Sequence, residues 1–224
     1  MVTANGKEYE ILVKQKQRII KLVEYANNTM KYPCVYHCLS WISEPNELDS
    51  RNLIKNFKRA LKRQYKSLKQ QCPNVLVAYS IEFKYTDQQE IDGIRDYLTS
   101  ENNLPFLHLH FYVIADCSEC LPHSFPKYAM GALNNIKGLS KARYFKSDKY
   151  VYSFSNQPVF TKLDNDSLDD VCSRMKYIAK LDQKSDEIPF TKTFGTSQIK
   201  PLPITSDDSL QQVANHCYFN SRND

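Results

Sequence analysis

The sequence lacks any apolar run that approaches the roughly 20 residues of a membrane-spanning helix. Its beginning, residues 1–16, has no apolar centre of the kind that marks a secretory signal. Internal repeats, low-complexity tracts and the glycine-rich phosphate-binding loop of helicases are also missing. We therefore expect a cytoplasmic protein without a membrane partner, and we exclude a repeat architecture.

Cysteine is present, but not in the pattern of a disulfide-stabilised protein. The count of seven is odd, and the spacing does not resemble the dense framework of a short secreted chain. Reduced thiols are therefore expected. The seven residues are Cys34, Cys38, Cys72, Cys117, Cys120, Cys172 and Cys217.

The overall composition is that of an ordinary soluble globular protein, with 42% hydrophobic and 25% charged residues. A chain of 224 residues can bury one good-sized core. The formal net charge is +5, and much of the positive charge falls on one predicted helix. The residues of this basic ridge are Lys55, Lys58, Arg59, Lys62, Arg63, Lys66 and Lys69.

The basic ridge has two interpretations. Offsets of three and four residues place several of these cations on a shared helix face, where they could neutralise the phosphates of a polyanion. The same pattern also fits the solvated exterior of an amphipathic helix that turns four apolar residues inward. These are Leu53, Phe57, Leu61 and Leu68.

The spacing of hydrophobic residues, together with the residues that end helices and strands, predicts an alternation of helices and strands. Helices are predicted over residues 8–27, 46–71, 122–137 and 164–182, with a short one near Leu210. Strands are predicted over 34–43, 74–84 and 106–115, with one or two more in 143–162 that break at Pro158. A polar excursion is expected over 85–105. Without a regular βαβ rhythm, this order favours an α+β fold with helices packed on an antiparallel sheet.

Two histidines stand two residues apart in the most apolar predicted strand, FLHLHFYVIA. Side chains alternate along a strand, so His108 and His110 point to one face about 7 Å apart at the backbone. In the preceding strand, VAYSIEFK, Glu82 places a charge among apolar residues, which is costly unless a cation binds it. Two imidazoles and one carboxylate leave coordination positions open, which is typical of a catalytic site. Mn²⁺ or Mg²⁺ is the predicted ion.

A candidate nucleophile lies in the segment RMKYIAKLDQK. Among the fifteen tyrosines, Tyr177 has a lysine three residues later, and on a helix Lys180 lies on the same face. A phenol is a poor nucleophile at neutral pH unless a cation or a base assists it. Lys180 and a metal-bound phosphate are the available helpers. The alternative is an amphipathic helix whose tyrosine packs half in the core.

These elements, in this order, resemble the HUH endonucleases, which include rolling-circle replication initiators and relaxases. The acidic strand VAYSIEF, the histidine strand HLHFYVIAD, YIAKLDQK and the later FGTS (residues 194–197) are more narrowly similar to the inovirus-type initiators, the YagK/YfjJ C-terminal family. The similarity covers residues 32–199. It implies an HUH domain over 31–200, preceded by a helical extension (1–30) and followed by a tail (201–224).

The resemblance implies a fold and a reaction. The fold is a ferredoxin-like antiparallel sheet of four or five strands flanked by helices. The reaction is site-specific nicking and rejoining of single-stranded DNA at an origin or hairpin. Its implied catalytic residues are Tyr177 as the nucleophile, which forms a 5′-phosphotyrosine, and Lys180; its metal ligands are His108, His110 and Glu82. The implied setting is a bacterial cytoplasm, where a phage or plasmid element uses host helicase and polymerase.

A competing hypothesis is a zinc-stabilised DNA-binding protein of a mobile element without catalysis. Cys117 and Cys120 have metal-like spacing, His123 is nearby, and Cys34 and Cys38 would complete a site if the loops meet. Four aromatic residues are candidate stacking platforms for unpaired bases, and each fits the core equally well. They are Tyr36, Trp41, Tyr150 and Tyr152.

Overall fold

A computed structural model describes residues 2–4, 7–84, 106–144, 152–154, 157–180 and 188–200. The helices are α1 (Val13–Thr29), α2 (Leu53–Ser67), α3 (Phe125–Asn134) and α4 (Leu168–Lys176). The strands are β1 (Val2–Ala4), β2 (Lys7–Tyr9), β3 (Pro33–Ile42), β4 (Val75–Lys84), β5 (Phe106–Asp116), β6 (Leu139–Tyr144), β7 (Tyr152–Phe154), β8 (Gln157–Lys162) and β9 (Phe194–Thr196). Among these residues, no helix combines the length and the apolar character that a bilayer crossing demands.

The main sheet is antiparallel and has a ferredoxin-like centre. Along the chain the order is β3-α2-β4-β5-α3-β6, and in space the strands lie as β6-β3-β5-β4. This is the βαββαβ arrangement, and it confirms the predicted α+β class. Strands β7, β8 and β9 extend the sheet to seven strands. It is larger than expected because β7 and β9 are three-residue strands without a strong apolar pattern.

Helices cover both faces of the sheet, which explains why β4 and β5 are apolar on both sides. On the α2–α3 face, Phe57 of α2 meets Phe111 of β5 edge-on, with ring centroids 4.7 Å apart. On the α1–α4 face, α1 packs beside α4 over β4 and β5. The buried residues of this second layer include Ile19, Leu22, Val23, Leu76, Ala78, Tyr112, Ile114, Val171, Met175 and Ile178.

Helix α2 carries the basic ridge on its outer side. Its buried stripe is Leu53, Phe57, Leu61 and Tyr65, spaced four residues apart. Leu68 is 46% exposed, so its predicted inward position is wrong; the helix ends at Ser67 and the chain turns away. The buried stripe is that of an amphipathic helix, and α2 lies on the α2–α3 face of the sheet.

Several predicted boundaries differ from the structure because local pairing overrides periodicity. Helix α1 begins at Val13, since β1 and β2 pair with each other. Helix α2 begins at Leu53, after two short 3-10 turns over Pro45–Glu47 and Ser50–Asn52. Pro158 lies inside β8 rather than at a break. The excursion 85–105, Tyr150, Cys217, the short helix near Leu210 and the tail 201–224 fall outside the described residues.

The FGTS segment forms the edge strand β9 against β4. Gly195 lies opposite Tyr79, and a Cβ at Gly195 would come within 2.5 Å of the Tyr79 ring. Ser197 fastens the end of the strand, because its hydroxyl accepts a hydrogen bond from the Val77 amide at 2.9 Å. The Tyr79 hydroxyl is itself held by the carbonyl of Ser50, at 2.8 Å. Glycine is therefore required at 195 by close packing.

Replacing Gly195 with alanine is expected to lower the free energy of unfolding by about 1–3 kcal/mol, because the new methyl group overpacks a buried ring. Gly131→Ala is the matched control. Its Cβ would meet only the amide end of Gln64, which can move, and alanine favours the helix. Urea denaturation of both variants measures the difference. Equal stability of Gly195→Ala and wild type would contradict the packing argument.

Candidate metal centre

The three predicted metal ligands lie together on the α1–α4 face of the sheet. Glu82 of β4 is the direct cross-strand partner of His108 of β5. His110 follows two residues later and points to the same face, as the strand alternation predicts. On the other side of β5, His108 pairs with Trp41 and His110 with Leu39. The register between β4 and β5 thus assembles the group, and β3 flanks it.

The ligand atoms have the geometry of a divalent-cation site. The Nε2 atoms of His108 and His110 lie 3.8 and 3.5 Å from Oε2 of Glu82, and one ligand atom from each residue lies within 4.8 Å of the others. Adjacent ligands of an octahedral ion with bonds near 2.1 Å stand about 3 Å apart. Small side-chain movements would close these distances, so the group could bind a divalent metal.

Glu82 is fully buried, with 0% of its side chain exposed. A carboxylate in this position requires a positive partner, since transfer of an isolated charge from water is very costly. Lys180, also 0% exposed, supplies one through its Nζ atom, 3.0 Å from Oε2 of Glu82. Glu82 therefore faces the protein interior and not solvent.

Tyr177 and Lys180 are in contact, but not through a continuous α-helix as predicted. Helix α4 ends at Lys176, and Tyr177 begins a 3-10 turn over Tyr177–Ala179. A 3-10 helix has three residues per turn, so the side chains at positions i and i+3 are aligned. Lys180 Nζ donates to the Tyr177 hydroxyl at 2.5 Å and lies 3.8 Å from the centre of its ring. Backbone pairing of Lys180 with Ile11 holds the segment in place.

The structure therefore brings all five predicted site residues together. The Tyr177 ring meets His110 edge-on at 5.7 Å between centroids. Lys180 contacts both Tyr177 and Glu82, and so connects the phenol to the ligand group. A cation beside a phenol oxygen stabilises the phenolate form over the phenol.

Sequence reasoning missed one residue of the site, His37 of β3. Its Nε2 lies 2.9 Å from Nδ1 of His110, and its ring stacks on Tyr112 at 4.0 Å with an interplanar angle of 7°. Burial, and then the positive charge of Arg174, lower the pKa of His37 to about 3, so its imidazole is neutral at pH 7. Alternation along the strand CVYHCLSWI could have revealed this residue, because it places His37 on the same face of the strand as Trp41.

Three of the cysteines named for the competing zinc site lie close together, but they do not form a group of ligand atoms within 4.8 Å of one another. Cys117 contacts Cys34 and Cys120, and Tyr36 lies 3.2 Å from its sulfur. His123 packs instead against Phe160. In the part of the chain that the structure describes, Glu82, His108 and His110 form the one group of three or more such ligands within 4.8 Å of one another.

The positive charge at the centre is that of Lys180 and not of the basic ridge. The ridge of α2 lies across the sheet, on the α2–α3 face, and does not border the metal ligands. Lys176 precedes Tyr177 in the chain, and Lys16 of α1 is close enough to feel its charge. Partial burial first, and then Lys176, lower the pKa of Lys16.

Comparison of the chain with models of known protein families, with curated proteins and with solved structures gave no match. Function is therefore inferred from the residues and the geometry of this chain, together with the resemblance of its motifs.

Mn²⁺ is expected to bind this centre and raise the melting temperature of the protein, with reversal by EDTA, because a ligand of the native state alone stabilises it. His108→Ala should weaken Mn²⁺ binding by more than about tenfold, since even outer-shell partners contribute about 10–100-fold. His108 suits the test because its side chain is 13% exposed. The exposed His123, changed to alanine, is the control, and calorimetry measures both. Equal Mn²⁺ affinities of the two variants would contradict the assignment.

Proposed function

We propose that this protein is a metal-dependent endonuclease of the HUH type that nicks and rejoins single-stranded DNA, with Tyr177 as its nucleophile. The observation that carries the proposal is the link from Tyr177 through Lys180 to Glu82, with contacts of 2.5 and 3.0 Å. The motif order that resembles inovirus-type initiators supports the same reaction.

In this mechanism His108, His110 and Glu82 would hold Mn²⁺ or Mg²⁺, which would supply positive charge for the scissile phosphate. Tyr177 Oη attacks the phosphorus in line. The new bond joins Oη to phosphorus, and the bond from phosphorus to the 3′ oxygen breaks. The phenolic proton is lost to solvent or a base, and the departing 3′ oxygen takes up a proton to become a free hydroxyl.

The product of the first step is a 5′-phosphotyrosine, and it retains the energy of the phosphodiester. A 3′ hydroxyl can therefore attack the same phosphorus and release Tyr177, which rejoins the strand. The free 3′ end would also serve as a primer for a host polymerase. Since the sequence carries no phosphate-binding glycine-rich loop, a host helicase would unwind the DNA of the phage or plasmid.

Lys180 has two tasks in this scheme. Its ammonium group donates to the Tyr177 hydroxyl, so it stabilises the negative charge that develops on Oη before attack. The same ammonium group lies beside Glu82 and offsets the cost of burying that carboxylate. Arginine would not replace it simply, because a planar guanidinium lacks the compact point charge that fits between a phenol and a carboxylate.

Single-stranded DNA is favoured as the substrate by partly exposed side chains on the α1–α4 face. Leu39 and Trp41 are partly exposed there, whereas Val35 and His37, earlier on the same face of β3, are buried. Trp41 is the cross-strand neighbour of His108, so an indole lies beside the metal ligands. Aromatic rings next to such a centre suit the stacking of unpaired bases.

The decisive experiment uses a pool of single-stranded oligonucleotides with a randomised centre and a 3′ fluorescent label, incubated with the protein and Mn²⁺. A 5′-phosphotyrosine leaves the protein on the labelled fragment, so a fluorescent band of higher mass should survive denaturing electrophoresis. Sequencing of the DNA in that band identifies the site. EDTA and Tyr177→Phe should each abolish the band.

Tyr128→Phe is the matched control, because Tyr128 is a half-buried tyrosine on α3, across the sheet, where its ring packs on Tyr65. This variant should form the adduct at the wild-type rate. An adduct that persists in Tyr177→Phe, or cleavage of the pool without any covalent product, would refute the single-tyrosine mechanism.

Trp41→Ala is expected to weaken binding of single-stranded DNA by about 1–3 kcal/mol, since one stacked base contributes about that much. Trp41→Phe, which keeps an aromatic face, should lose much less. Fluorescence anisotropy with a labelled oligonucleotide measures both affinities, and a duplex of the same sequence serves as the comparison. Equal affinities of Trp41→Ala and Trp41→Phe would rule out stacking at this position.

A further inference from the structure

His37 and His110 are joined by a buried contact between ring nitrogens. The distance from His37 Nε2 to His110 Nδ1 is 2.9 Å, which is a hydrogen bond. The other ring nitrogen of His110, Nε2, points towards Glu82, at 3.5 Å. One nitrogen of His110 thus belongs to the ligand group, and the other belongs to His37.

The proton on a neutral imidazole decides whether His110 can bind a metal. A ligating nitrogen must offer a lone pair, so the proton has to reside on Nδ1 when Nε2 is the ligand. In water the tautomer with the proton on Nε2 predominates, and that tautomer blocks the ligand atom. A hydrogen-bond acceptor placed against Nδ1 reverses the preference.

The surroundings of His37 suit an acceptor of fixed orientation. Its ring is stacked on Tyr112 at 4.0 Å, and Tyr112 is tied to α4 because its hydroxyl donates to the Arg174 carbonyl at 3.3 Å. The Arg174 side chain is held in turn by Asp170 and Thr161, at 2.7 and 3.1 Å. A neutral imidazole in this position carries one acceptor nitrogen.

We propose that His37 is a positioning residue of the metal centre: its Nε2 accepts a hydrogen bond from Nδ1–H of His110 and so keeps Nε2 of His110 available to the metal. The inference rests on the metal site of the proposed function, but not on DNA cleavage. It assigns to β3 a role in a centre whose ligands come from β4 and β5.

The first test is the tautomer of His110 in the metal-free protein, read from the ring nitrogen shifts in ¹⁵N NMR spectra. Wild type should show the proton on Nδ1. In His37→Leu, which removes the acceptor, the population should move towards the Nε2–H tautomer. In His37→Gln the amide oxygen can accept the same hydrogen bond, and the Nδ1–H tautomer should be restored at least in part.

The second test is Mn²⁺ affinity by calorimetry. Loss of an outer-shell partner typically weakens metal binding about 10–100-fold, and His37→Leu should fall in that range, with His37→Gln nearer to wild type. Val35→Ala is the control for packing, because Val35 is buried two residues earlier on the same face of β3. It should lower the melting temperature and leave the Mn²⁺ affinity unchanged.

The outcomes separate this inference from the proposed function. If His37→Leu binds Mn²⁺ as wild type does, or His37→Gln fails to recover any of the loss, the positioning role is overturned, whether or not the protein cuts DNA. If affinity and tautomer change as expected but no covalent DNA adduct forms, the nuclease proposal fails alone. Should His37→Leu not fold, an Nε2–H tautomer of His110 in wild type would by itself overturn the inference.

Discussion

The burial of the Glu82 carboxylate is the constraint on which the site depends. A charge inside a sheet that is covered on both faces is stable only with positive partners. Lys180 supplies one such partner at 3.0 Å, and the arrangement with His108 and His110 leaves room for a divalent ion as another. Because Lys180 also contacts Tyr177, the residue that stabilises the carboxylate places the phenol beside the ligands. Stability and proposed chemistry therefore share the same contacts.

One face of the sheet is mainly packed core, whereas the other also carries the candidate metal ligands. On the α2–α3 face, aromatic packing such as Phe57 on Phe111 builds most of the core, and the basic ridge of α2 is turned away from it. On the α1–α4 face, apolar packing gives way to polar side chains along β4 and β5. Near the metal ligands, Trp41 is partly exposed next to His108. One sheet thus provides both a packed core and a partly exposed side chain beside the metal ligands.

The central strands were predicted to within about a residue. Proline and polar residues mark the ends of their apolar runs, and such runs are typical of strands that are covered on both faces. Helices α2, α3 and α4 were predicted too long at both ends, and α1 was predicted to begin and to end too early. Periodicity continues through the 3-10 turns that precede α2 and follow α4, and only hydrogen bonding distinguishes these turns from α-helix. The Tyr177–Lys180 contact survives this error, since both helix types bring residues three apart together. The edge strand at Gly195 was not predicted, because a strand of three residues has no periodic pattern, and FGTS was noted only as a motif.

The sequence by itself determined the ligand types and the faces on which they lie: alternation along β5 aligns His108 with His110, and a lone carboxylate in an apolar strand marks Glu82 as a residue in need of a cation. Only the tertiary structure decided which partners these residues meet. His37 reaches His110 across 73 positions of sequence, and Lys180 reaches Glu82 from a segment held by backbone pairing with Ile11. Such contacts depend on strand register and helix packing, which are set by the summed burial of the whole core and not by any local pattern.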